Sequence, residues 1–128
     1  MILITGGAYQ GKTSYIQSKC AELQFVDGAE CTWDELLYAE CIMHYHKFIR
    51  RMMNTEKAPE ILTEILCDKN PNCIILLDEI GSGIIPMDQS EREWRESTGR
   101  CGCILAAHAD TVIRLVCGIP YALKGELL

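Results

Sequence analysis

A three-layer α/β domain with a small, mainly parallel sheet is what this sequence predicts, on three observations. The apolar runs Met1–Ile4 and Cys73–Leu77 are continuous, as strands buried on both faces are. Helical patterns alternate with such runs, and no internal repeat, low-complexity stretch or linker interrupts them. A glycine-rich turn, Gly6 to Thr13, joins the first run to the first helical pattern. With 128 residues, 48 % hydrophobic and 23 % charged, residues 1–128 read as one domain with a sizeable core.

The first strand is expected over Met1 to Thr5. The turn after it, Gly6-Gly7-Ala8-Tyr9-Gln10-Gly11-Lys12-Thr13, satisfies G-x-x-x-x-G-K-[ST], the loop that cradles nucleotide phosphates. Its glycines let backbone N–H groups turn inward as an anion nest, and the following helix points its positive end at the same place. Lys12 is expected to reach the β and γ oxygens of ATP or GTP, and Thr13 to hold Mg²⁺. The domain is therefore expected to be P-loop NTPase-like. The plain alternative is a ligand-free glycine turn, but a strand before and a helix after are the context the motif needs.

Helix one should run from Gly11 or Lys12 to about Leu23, with a short strand near Gln24 to Val26 closed by a turn at Asp27-Gly28. Thr32-Trp33-Asp34-Glu35 reads as a capping box opening one long helix to about Met53. The stripe Tyr38, Ile42, Tyr45, Ile49 and Met52 marks the face that packs on the sheet, with His44 and His46 on opposite flanks. A short helix over Ala58 to Cys67 and a turn at Asp68–Asn72 lead to the strand Cys73–Leu77. That strand delivers Asp78 and Glu79 to its carboxyl end, where open α/β sheets bind ligands. Asp78 is the metal candidate and Glu79 the catalytic one, placed to orient or deprotonate an attacking hydroxyl; a loop cap and a solvated carboxylate are the plain alternative.

Gly81-Ser82-Gly83-Ile84-Ile85-Pro86 is built to bend sharply near the same sheet edge, where it could cover a substrate. A helix from about Ser90 to Ala109 follows, with Trp94, Thr98, Cys101, Leu105 and His108 on one stripe and Gly99 and Gly102 allowing close approach. His108 reads as a helix residue near the core rather than a ligand. Thr111–Val116 is the last expected strand, ended by Cys117-Gly118-Ile119-Pro120.

The net charge of −6, with twelve scattered basic residues, argues against a nucleic-acid partner. The N-terminus runs straight into the phosphate loop with no signal peptide, so a reducing, cytoplasmic location is expected and the eight cysteines read as buried thiols. Cys41 and His44 have C-x-x-H spacing, but no second pair completes a zinc site. No apolar run is long enough to span a bilayer.

Two regions carry a family resemblance. Glu79-Ile80-Gly81-Ser82-Gly83-Ile84-Ile85-Pro86 resembles the N-E-V-G-x-G-I-V-P segment of the bifunctional adenosylcobinamide kinase/adenosylcobinamide-phosphate guanylyltransferases. The likeness continues without gaps through Arg92, Trp94, Arg95, Gly99, Arg100, Leu105–Ala107, Ala109, Asp110, Val112 and Gly118–Pro120 to Lys124. The opening Ile2–Ala8 with Gly11-Lys12 is similar to the family's I-L-V-T-G-G-A-R-S-G-K-S. The resemblance implies an enzyme that phosphorylates the aminopropanol hydroxyl of adenosylcobinamide with ATP or GTP, then transfers GMP to that phosphate through a guanylylated histidine. Ile42-Met43-His44-Tyr45 aligns with the family's I-x-H-H, which nominates His44 as nucleophile and His46 as substitute, against two plain helix-flank residues. The chain is shorter than usual for the family, and the loss falls between the histidines and the Asp78 strand. Asp78 stands where the family has asparagine. A homo-oligomer, a trimer, is implied by the resemblance alone. A small-molecule kinase or NTPase with another substrate, and a nucleotide-binding regulator without chemistry, are the alternative readings.

Overall fold

The computed structural model describes residues 1–80 and 88–128, so the glycine loop Gly81–Pro86 lies outside the described residues. The six-stranded sheet has the order β2-β3-β4-β1-β5-β6. Its strands are β1 (Ile2–Gly6), β2 (Phe25–Asp27), β3 (Cys41–Met43), β4 (Ile74–Asp78), β5 (Thr111–Val116) and β6 (Ile119–Lys124). All neighbours pair in parallel except β5 and β6. The helices are α1 (Lys12–Lys19), α2 (Trp33–Leu37), α3 (Tyr45–Met52), α4 (Pro59–Lys69) and α5 (Gln89–His108).

Strand alternation distributes the apolar residues to two cores. Leu3, Ile42, Ile75, Leu77 and Val112 face the side covered by α2 to α5, among Leu36, Tyr45, Phe48, Leu66 and Leu105. Ile4, Cys41, Ile74, Leu76, Ile113 and Leu115 face Ile16 of α1 on the other side. Helices on both faces of a mainly parallel sheet make the three layers. β1 lies between β4 and β5, pairs with both over nearly its full length, and runs at its carboxyl end into the glycine-rich loop.

Two elements differ from expectation. The segment 32–53 is not one helix. The capping box forms, with Thr32 Oγ1 accepting from the Glu35 backbone and Glu35 reaching back. Yet α2 ends at Leu37, and Cys41–Met43 enters the sheet between β2 and β4. Cys41 and Ile42, both 0 % exposed, match a vacant strand position better than a helix turn, and tertiary pairing overrides the helical spacing. Tyr38, expected on the buried stripe, is 86 % exposed. Tyr45 and Ile49 do pack inward, because that half of the stripe belongs to α3. The second difference is β6, where Cys117 and Gly118, with φ of 51° and 76°, form a two-residue hairpin turn. Pro120 looked like a terminator, but β6 is an edge strand, where a missing N–H is tolerated.

Smaller shifts follow the same logic. α1 stops at Lys19, four residues short of the expected end, and Leu23 packs against the α1-side core from outside the helix. Trp94, Thr98, Cys101 and Leu105 of α5 face the core as expected, whereas His108 is exposed and pairs with Glu64 at 3.7 Å. Burial pushes the Cys41 thiol up to about 12 and those of Cys67, Cys73 and Cys101 up to about 11, so these act as small buried hydrophobes. Among the described residues no helix is long and apolar enough to cross a membrane.

Candidate active site

The carboxyl ends of β1, β3 and β4 open into a cavity of about 460 Å³. Its walls include residues 8–14, from the glycine-rich loop into the first turn of α1, with Met43, His44, His46, Lys47, Leu76 and Asp78. The loop takes the shape its glycines permit. Gly6 has φ 153°, and a Cβ there would stand 2.6 Å from the Leu115 carbonyl oxygen, so β1 passes β5 too closely for any side chain. Gly11 has φ 90° and starts α1. The Cys117 N–H donates to Gln10 Oε1 and the Gly118 N–H to the Gln10 carbonyl at 3.2 Å, which ties the loop to the β5–β6 turn.

Lys12 is 7 % exposed and fully engaged. Its Nζ donates to the carbonyls of Gly6 at 3.2 Å and Gly7 at 2.7 Å and pairs with Asp78 Oδ1 at 2.7 Å. The loop and the end of β4 are thus joined through one ammonium. Thr13 lines the same cavity, exposed on the first turn of α1. A threonine hydroxyl and a carboxylate are hard oxygen donors of the kind Mg²⁺ takes beside nucleotide phosphates, so this donor set fits the ion.

His44 follows β3 with φ 57° as the N-cap of α3, so it is not on the flank of a helix. Its Nδ1 lies 2.9 Å from Asp27 Oδ1 at the end of the neighbouring strand β2. Burial pushes the Asp27 carboxyl up, but the Ala29 N–H and the His44 ring bond to it and hold it below its ordinary value. An ionised carboxylate only accepts, so in the neutral ring Nδ1 carries the proton and Nε2 keeps its lone pair. Gly28 lets the two strands meet, since a Cβ there would stand 2.5 Å from the His44 carbonyl oxygen. Arg51 clasps the turn after β2, donating to the carbonyls of Gly28 and Cys31, both at 2.8 Å.

His46 comes to the same cavity rather than to an opposite flank, its ring centroid 6.0 Å from that of His44. It is 5 % exposed, stacks on Trp94, and has Nε2 3.5 Å from Asp78 Oδ2. Burial lowers its pKa, outweighing the pull of Asp78, and its Nδ1 has no partner among the described residues. Glu79 turns away from this cavity: its carboxylate takes a two-pronged bond from Arg114, at 2.8 and 3.0 Å. It lines instead a second cavity of about 230 Å³ beside α5, and Asp78 borders both. Asp27, Arg51 and Arg114 escaped the sequence reading because their roles depend on strand neighbours. The only signal for Asp27 was its place at a strand end before glycine.

The family model described as cobinamide kinase / cobinamide phosphate guanyltransferase matches residues 22–123. That span holds His44, His46, Asp78 and Glu79, while the glycine-rich loop Gly6–Thr13 stands outside it. No curated protein matches the chain. With four-fifths of its length matched, the chain belongs to the cobinamide kinase / cobinamide phosphate guanyltransferase family.

Proposed function

We propose that this chain phosphorylates the aminopropanol hydroxyl of adenosylcobinamide with ATP or GTP, and then carries GMP on His44 to the new phosphate. One observation carries the reading: the phosphate-loop lysine and an Asp27-held histidine face the same cavity. In the first step the acceptor oxygen bonds to the γ-phosphorus, the bond from that phosphorus to its bridging oxygen breaks, and the hydroxyl proton passes to water. Lys12 exchanges Asp78 for the β and γ oxygens, steadying the charge that develops there. Thr13 and Asp78 would hold Mg²⁺, which when bound neutralises the phosphate oxygens.

In the second step His44 Nε2 attacks the α-phosphorus of GTP and pyrophosphate leaves. A phosphate oxygen of the substrate then displaces the imidazole. Asp27 keeps the Nδ1 proton in place throughout and steadies the positive charge on the substituted ring. His46 is the poorer nucleophile in this reading, because it is buried and held against Asp78.

The test is mass spectrometry of small molecules and protein after incubation with Mg²⁺, ATP, GTP and adenosylcobinamide. Phosphorylated cobinamide and a GDP-linked product support the two activities. Nucleotide hydrolysis with cobinamide unchanged replaces this substrate with another. The homo-oligomer implied by the resemblance belongs to the same proposal, and light scattering reads it.

A further inference from the structure

All three donors of the Lys12 ammonium are engaged. They meet the carbonyls of Gly6 at 3.2 Å and Gly7 at 2.7 Å and Asp78 Oδ1 at 2.7 Å, and an ammonium has no fourth N–H to offer. A phosphate oxygen therefore reaches Nζ only by displacing one of these partners. The two carbonyls are fixed in the loop backbone. Asp78 holds Lys12 through a side chain that can turn at the end of β4, and its carboxylate is repelled by an approaching phosphate, so Asp78 is the partner that yields.

The released carboxylate has little else to pair with. Its side chain is 18 % exposed, and Oδ2 stands 3.5 Å from His46 Nε2, too far for a strong hydrogen bond. Among the described residues that line this cavity Asp78 is the one carboxylate. The other ammonium of the wall, Lys47, is exposed, and a solvated charge compensates a neighbour weakly. Parted from Lys12, Asp78 becomes a largely buried charge beside a polyanion, which is strongly unfavourable unless a cation joins it.

We propose that Asp78 occupies Lys12 as an internal substitute for phosphate, and that its release makes nucleotide entry conditional on a divalent cation, so that the chain takes the magnesium complex and turns the bare nucleotide away. This rests on the nucleotide reading above and not on which hydroxyl is phosphorylated. One carboxylate thus has two alternative cations. Paired with Lys12, it ties β4 to the loop; paired with a divalent ion that Thr13 also reaches, it leaves Lys12 to the phosphates. Affinity for metal and affinity for nucleotide are then linked, each raising the other by the same factor.

Calorimetric titration with α,β-methylene GTP, which His44 cannot cleave, compares the nucleotide in EDTA with the same nucleotide in excess Mg²⁺. Wild type is expected to bind the magnesium complex about a hundredfold more tightly. Asp78→Asn keeps a hydrogen bond to Lys12 without the charge, so bare nucleotide should bind about tenfold more tightly than it does to wild type, and the gap between the two forms should shrink below about tenfold. Asp78→Glu keeps the charge and should keep the gap. In wild type alone, the carboxyl ¹³C signal of Asp78 should move with the magnesium complex and stay in place when bare nucleotide is added at the same concentration, a readout that stands even where a variant fails to fold. Equal affinity of wild type for both forms, bare-nucleotide binding unchanged in Asp78→Asn, or an Asp78 signal unmoved by the magnesium complex overturns the inference and leaves nucleotide binding in place. Folded wild type that binds neither form rejects the nucleotide reading itself, and the inference with it.

Discussion

Lys12 with Asp78, and His44 with Asp27, are two short-range pairs of the candidate site. Lys12 holds Asp78 and two loop carbonyls, so it is already placed where a triphosphate would need it. Lys12→Ala is expected to lower nucleotide-dependent turnover by about 10²- to 10³-fold, measured as kcat, as loss of one charge-stabilising donor does. In the proposed mechanism Asp27 acts through His44, whose Nδ1 it meets at 2.9 Å. Asp27→Asn lets the ring adopt the other tautomer, so guanylylation should slow by on the order of 10²-fold while phosphorylation of cobinamide keeps its rate. Equal loss of both activities would mean that Asp27 merely holds the strand end. His46 adds a pH dependence. Burial lowers its folded pKa beneath the unfolded value of about 6.5, so the unfolded chain binds more protons between those two values. Stability is therefore present above about pH 6.5 and lost as pH falls through the folded value. Melting temperatures from pH 7.5 to 5 should fall more steeply for wild type than for His46→Asn.

At the scale of elements, the β2–β3 contact sets where His44 stands. Gly28→Ala forces a Cβ toward the His44 carbonyl and should cost about 1–3 kcal/mol, read by denaturant unfolding, with guanylylation falling further than phosphorylation. The strand–loop–helix β1 to α1, the buried strand β4 with Asp78 and Glu79, and the cap at Thr32 were legible because each is specified by neighbours in sequence. β3 was not. Its three residues fit the helical spacing of Ile42 and Tyr45, and only pairing with Phe25–Asp27 and Ile74–Ile75 makes them a strand. β6 was hidden by Pro120, although Ile119, Tyr121 and Leu123 alternate as a strand should. The site was legible to the same degree: Lys12, Thr13, Asp78 and both histidines reach one cavity, while the Asp27 and Arg114 partnerships are products of strand order.

Across the whole molecule, the sheet separates a smaller core from a larger one. Among the described residues α1 is the helix on the face of Ile4, Leu76 and Ile113, while α2 to α5 build the larger core on the other. Nucleotide bound between loop and sheet should stabilise the fold through linkage, by about 2.7 kcal/mol at a hundredfold excess over Kd. Thermal shift with GTP reads this, and Lys12→Ala should remove most of it. The deeper question is whether one cavity serves both phosphoryl and guanylyl transfer. Peptide mass mapping after incubation with Mg²⁺ and GTP answers it most directly. A GMP adduct on the peptide bearing His44, lost in His44→Ala and retained in His46→Asn, is the expected result. An adduct elsewhere, or none while nucleotide is still bound, would contradict the account.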